Sequence, residues 1–135
     1  MSQWKKFSRK NLVVVKININ PVIEKIFKNF KVDGKKIPIA YSEYFGKEEP
    51  YLTYYTWLEK PHLFADDTNQ SEYCYFTVDV WSKGNFKNIV EAVKQKLKEN
   101  DFVWTDTASE LYEPETAFFH VPINFYAVKE VISDE

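Results

Sequence analysis

Between Ser71 and Lys98 the period of the apolar pattern changes once, from two to 3.6, and that change limits what the chain can fold into. In the stretch SEYCYFTVDVWS, Glu72, Cys74, Phe76, Val78 and Val80 fall on one side of an extended segment, and Tyr73, Tyr75, Thr77, Asp79 and Trp81 on the other. The first side is a core face. The second is aromatic but tipped with hydroxyls and an indole N–H, suited to helices, another subunit or water. After Ser82-Lys83-Gly84-Asn85 the apolar residues return as Phe86, Ile89, Val90, Val93 and Leu97, with Lys87, Glu91, Lys94, Lys96 and Lys98 outside. Asn85 is the expected N-cap, its side-chain oxygen accepting a backbone N–H, and Asn100 the expected helix stop.

The other elements arrange themselves around this strand–helix unit. Leu12–Ile19 reads as a β-branched strand or an earlier helical turn. Asn20-Pro21 opens a helical stripe of Val22, Ile23, Ile26, Phe27 and Phe30, with Asn20 as cap. Asp33-Gly34 makes a turn, and Ile37–Tyr41 is a short strand whose Pro38 predicts an edge or strand-start position. Tyr51–Leu58 is an aromatic strand, and Glu59–Gln70 a long connecting loop in which Leu63 and Phe64 tuck onto the domain or insert into a partner. Phe102–Thr105 begins a strand, Leu111–Thr116 supplies a turn, and Ala117–Val128 closes a hairpin, with Pro122 predicting an edge or a bulge. The expected architecture is α+β: one domain spanning 1–135, a mainly antiparallel sheet of four to six strands, and two amphipathic helices on one face. Residues 1–10 and 129–135 are expected to be flexible.

Composition removes several function classes. A net charge of −2, with acids and bases interspersed, gives no electrostatic grip on phosphate backbones. The single cysteine, Cys74, sits on the core face, which excludes a disulfide framework and reads as a buried thiol. The basic, aromatic N-terminus lacks the apolar run of a signal peptide, and no stretch is long enough to span a bilayer, so a soluble intracellular chain is expected. Histidines occur only at His62 and His120, without a Cys or His at ligand spacing, so no metal and no cofactor is expected. No nucleophile or phosphate-loop motif is present, and there are three glycines in all. The paired acids Glu48/Glu49, Asp66/Asp67 and Glu113/Glu115 lie in turn-forming contexts and read as solvated. Asp79 is the one carboxylate inside a strand, and a polar partner satisfies it better than a catalytic role.

What remains is aromatic wealth. Tyr51, Tyr55, Trp57, Tyr73, Tyr75 and Trp81 suffice for a stacking platform, yet their strands carry no Lys or Arg between Tyr51 and Leu58 or between Ser71 and Trp81. Protein contact is the better reading, because Tyr and Trp are enriched at interfaces. The interface candidates are Tyr73, Tyr75 and Trp81 on the strand, with Leu63, Phe64, Asp66 and Asp67 in the connection.

The strand Pro50-Tyr51-Leu52-Thr53-Tyr54-Tyr55, the strand Thr77-Val78-Asp79-Val80-Trp81-Ser82 followed by Phe86-Lys87-Asn88-Ile89-Val90, and the strand Phe119-His120-Val121-Pro122-Ile123-Asn124-Phe125 resemble the small tail-completion or tail-terminator proteins of long-tailed phages and prophages. That resemblance covers most of residues 20 to 128. It implies a structural, non-enzymatic subunit of a ring, of six copies when assembled, that caps the tail tube and joins it to the head connector. The implied location is the virion tail or neck, with the host cytoplasm before assembly and no membrane. The implied partners are further copies of the chain, tail-tube and head-connector proteins, and DNA that passes without specific binding. The aromatic strand face and the Glu59–Gln70 loop would make intersubunit or neck contacts, and Glu48, Glu49, Asp66 and Asp67 would suit a DNA-repelling channel. Two rival readings follow from the residues: a ligand-binding module using the aromatic face, and a small hydrolase pairing His62 or His120 with Asp66 or Asp79.

Overall fold

The structure, a computed structural model, describes residues 18–63 and 69–132, and side chains within 18–58 and 73–128. The elements run α1 (Asn20–Ile26), β1 (Lys31–Val32), β2 (Lys35–Lys36), β3 (Ile39–Tyr41), β4 (Tyr51–Leu63), β5 (Asn69–Ser82), α2 (Lys87–Glu99), β6 (Val103–Thr107), β7 (Leu111–Glu113) and β8 (Phe118–Ile132). The fold is α+β. The main sheet has the order β3-β4-β5-β8-β6, with β7 also pairing β8, and it is antiparallel throughout except for the β3–β4 pair.

The period change at Ser82 does what the pattern predicts. Cys74, Phe76, Val78 and Val80 of β5 join Leu52 and Tyr54 of β4 and Val121, Ile123, Phe125 and Ala127 of β8 in one buried cluster. Ile89, Val90, Val93 and Leu97 of α2 and Ile23 of α1 pack into the same cluster, so both helices cover one face of the sheet. The N-cap of α2 is Phe86, not the expected Asn85, whose Oδ1 accepts the Lys87 N–H at 3.0 Å from one residue further out. At the other end Asn100 is the C-cap and Asp101 takes a left-handed φ of 70°. The Phe102 N–H then reaches the Leu97 carbonyl at 3.0 Å and the Asp101 N–H the Lys98 carbonyl at 3.1 Å. These two bonds close a Schellman stop, with Leu97 and Phe102 both in the core.

Several expectations are corrected. Asn20 does not cap α1: the cap is Ile19, and the Asn20 N–H instead bonds to Asn18 Oδ1 at 2.9 Å. The Asp33-Gly34 turn is where the sequence put it, with φ of 53° and 80°, but it closes a two-stranded hairpin of its own, β1–β2. Glu59–Gln70 is not a loop for most of its length, since β4 runs on to Leu63 and β5 starts at Asn69, paired from Leu58↔Tyr75 out to Leu63↔Gln70. Leu111–Glu113, expected as part of a turn, is strand β7. Nor does the chain fray at Lys129: Lys129–Ile132 pair with Asn69–Glu72.

Pro122 sits on the interior strand β8, not at an edge. Its carbonyl accepts the Ala108 N–H at 2.9 Å, so its N-side faces the gap between β6 and β7, where no ladder donor is needed. The Leu12–Ile17 segment, the expected flexible 1–10, and Phe64, Asp66 and Asp67 lie outside the described residues, as do the side chains of Leu63 and His62.

Candidate protein-contact face

The face of the sheet turned away from the helices carries Tyr51 and Thr53 of β4, Tyr73, Tyr75, Thr77, Asp79 and Trp81 of β5, and His120, Asn124 and Tyr126 of β8. Among the described residues nothing packs over it as a second layer. Even so, Thr53, Thr77 and Asp79 are buried, because larger neighbours on the same face close in from both ends.

At one end stand Tyr51, Trp81, His120 and Phe118. Trp81 stacks on the His120 ring at 4.0 Å between centroids and on Tyr51 at 5.9 Å, while Phe118 meets Tyr51 edge-on at 5.6 Å. At the other end Tyr73 stacks flat on Tyr126 at 5.4 Å, and Tyr75 touches both Tyr126 and Trp57. The predicted trio is therefore split. Tyr73 and Tyr75 share one cluster and Trp81 belongs to another, about 20 Å away by strand rise.

A polar band joins the two clusters. The Trp81 indole N–H donates to Thr53 Oγ1 at 3.0 Å, His120 Nε2 lies 2.8 Å from Asp79 Oδ1, and the Thr77 hydroxyl donates to Asn124 Oδ1 at 2.6 Å. Asn124 Nδ2 in turn donates to Asp106 of β6 at 3.2 Å, so the band crosses four strands. The buried polar atoms of the band are thereby paired, as burial requires.

A β-bulge sharpens the character of this face. The register slips between Thr56 and Leu58, so that Trp57 is an extra residue and Leu58 faces Tyr75. Two consecutive apolar side chains then project from the same side, 50% and 42% exposed. Unbroken alternation from the buried Leu52 and Tyr54 would have turned Leu58 to the core. Sequence reasoning also missed Tyr126 and Asn124 as members of this face, because only the β5–β8 register brings them beside Tyr75 and Thr77.

His120 and Asp79 do converge, as the hydrolase reading requires, but on an open sheet surface where His120 is sandwiched flat against Trp81. No described Ser, Thr or Cys side chain bonds to His120, and Cys74 lies on the opposite face. The pair works as a cross-strand tie. A hollow of about 500 Å³ lies elsewhere, on the helix side between α2 and β6, lined by Glu91, Lys94, Lys98, Phe102 and Trp104. Among the described residues no three His, Cys, Asp or Glu side chains gather where a metal ion could be held, and no helix is long and apolar enough to cross a membrane.

Three tyrosines at or beside the start of β4 have perturbed phenols. Tyr54 is pushed well above its ordinary value by burial, and then by donating to Glu24 Oε2 at 2.6 Å. Burial, followed by the nearby Glu113 charge, raises Tyr51. The Tyr44 hydroxyl donates to Glu48, which raises the phenol and lowers the carboxylate. Glu49 Oε1 accepts the Lys83 N–H at 3.0 Å, so neither of these two acids stands free of partners.

The family model of tail completion protein gp17 matches residues 45–130. The chain belongs to that family. Comparison with curated proteins gave no match. The matched region spans all of β4, β5, α2, β6 and β7 and nearly all of β8, so it contains the whole aromatic face and leaves out α1 and the β1–β2 hairpin. Family membership gives this tail-completion protein a structural role in a phage tail, with other phage proteins as its partners and the virion tail or neck as its place.

Proposed function

We propose that this tail-completion protein forms a ring, six-membered when assembled, that closes the tail tube at its head-proximal end and joins it to the head connector. Its work is contact, not catalysis. The observation that carries the reading is the cluster of Trp57, Leu58, Tyr75 and Tyr126 on a sheet face that the described chain leaves open, inside the region matched to the family. Exposed large rings on a rigid sheet make good anchors, since they bury much area at little conformational cost. Tyr73, Tyr75 and Trp81, with the paired outer ends of β4 and β5, are the proposed neck contacts.

Within Tyr51–Leu58, Tyr73–Trp81 and Phe118–Val128 the strands carry no Lys or Arg, which supports passage of DNA without capture. Before assembly the chain resides in the host cytoplasm. Labelled copies viewed by negative-stain microscopy should sit at the head-proximal end of purified tails. Label at the distal tip, or none on tails, contradicts the reading. Tryptophan fluorescence should stay flat on addition of oligosaccharides or single-stranded oligonucleotides; saturable quenching would favour a ligand-binding module instead.

A further inference from the structure

We propose that opposite edges of the sheet bind each other between copies, the lysine-flanked β3 edge of one copy taking the acid-flanked β6–β7 edge of the next. This deepens the ring reading and rests on it. The two edges are the ends of the strand order, and among the described residues no strand pairs with the outer side of either. Unpaired edges are templates for another chain.

The charges around them are opposite. From Lys25 to Lys36 the chain carries Lys25, Lys28, Lys31, Lys35 and Lys36 against a single acid, Asp33. Asp33 is engaged by Asn88 Nδ2 at 3.1 Å, and Lys35 by the Glu49 carbonyl at 2.7 Å. Lys25, Lys28, Lys31 and Lys36 are exposed and have no ion-pair partner among the described residues. The register Lys31↔Lys36 puts those two on one face of the hairpin, opposite the face on which Val32 packs toward the core. The chain runs from this hairpin straight into β3, and α1 lies beside β3 with Glu24 accepting from Tyr54 of the neighbouring β4; the Ile37 N–H to Phe30 carbonyl bond extends the hairpin, and Asn88 ties its turn to α2.

From Glu99 to Val128 there is no Lys or Arg, and the acids Asp101, Asp106, Glu110, Glu113 and Glu115 surround β6 and β7. Each edge also shows exposed large hydrophobic side chains: Tyr41 on β3 and Phe45 just beyond it, and Leu111 and Tyr112 on β7. Such a contact uses different patches on its two sides, so it is head-to-tail and propagates to a closed ring when the rotation permits. The lysine half lies outside the region matched to the family, so the attraction is a property of this chain's own N-terminal third.

The test is zero-length carbodiimide cross-linking of an equal mixture of ¹⁴N and ¹⁵N full-length chains, run both on concentrated free protein and on assembled tails. Mixed-isotope peptides joining Lys28, Lys31 or Lys36 to Glu110, Glu113 or Glu115 are expected in at least one of the two preparations. Reversing one side, as Lys28→Glu/Lys31→Glu/Lys36→Glu or as Glu110→Lys/Glu113→Lys/Glu115→Lys, should cut those products at least tenfold. Mixing the two reversed variants should restore them. Cross-links confined to single chains or to other surfaces in both preparations, or reversals without effect in folded protein, would overturn the proposal. So would retention of a duplex oligonucleotide by the lysine side with no cross-link between copies. The ring reading fails separately, by absence of the chain from tails while the free protein still yields the mixed products.

Discussion

The two faces of β5 are built from alternate residues of one strand, yet they are held by different physics. Phe76, Val78 and Val80 are buried because two helices lie over them, and their stability comes from apolar area removed from water. Thr77 and Asp79 are nearly as buried with no layer above them, and they are held by ring neighbours and by one hydrogen bond each to β8. The helix face is finished within the chain. The other face is satisfied in its polar centre but left open at its aromatic ends, where Trp57, Tyr55 and Leu58 remain 40–50% exposed. A face that pairs its buried polar atoms while leaving rings in water has the anatomy of an interface whose partner is another protein.

This contrast can be broken, starting with the largest effect. Phe76 stacks on Phe125 and meets Phe102 edge-on, so Phe76→Ala should cost about 3–5 kcal/mol in urea unfolding. A loss below about 1 kcal/mol would mean that the helix layer is loosely packed. On the open face His120→Ala leaves the buried Asp79 carboxylate without that partner and should cost about 1–3 kcal/mol. If it costs nothing, the polar band is ornamental.

The pH profile sharpens the comparison further, because Tyr54 faces the core and Tyr51 the open side. Both phenols are raised in the folded chain, so below the ordinary value of about 10 each is neutral whether folded or not and stability is unaffected. As pH rises past about 10 the unfolded phenols ionise first, and stability should fall by up to about 1.4 kcal/mol per pH unit for each group. Tyr54→Phe should flatten this alkaline decline, measured as urea midpoints from pH 9 to pH 11.5, and an unchanged slope would remove Tyr54 as its source. Smallest in stability is Trp57→Ser, expected within about 0.5 kcal/mol by the same unfolding measurement since the ring is half in water.

The core side of this picture was legible in the sequence. Alternation in β5 and β8 and the 3.6 period in α2 name the buried residues, and Asn100 marks the end of α2, because these are local signals; the start was placed one residue early, at Asn85 in place of Phe86. The open face was only half legible. Tyr73, Tyr75 and Trp81 could be assigned a side, but their division into two clusters depends on Tyr126 and His120, some forty to fifty residues away along the chain, and pairing register is not written locally. The outer part of β4 was misread as loop because Pro61 and the polar residues beyond it carry poor strand propensity. Pairing with β5 overrides that weak preference. The bulge at Trp57 left no signal in the alternation, since it changes which residues count as alternate.

The most direct test of the account is hydroxyl-radical footprinting of the free chain and of assembled tails, read at Trp57, Tyr75 and Tyr126. The account predicts strong modification in the free chain and protection of several-fold or more in tails, with Phe76 and Phe125 unreactive in both. Equal reactivity of the three rings before and after assembly would contradict it.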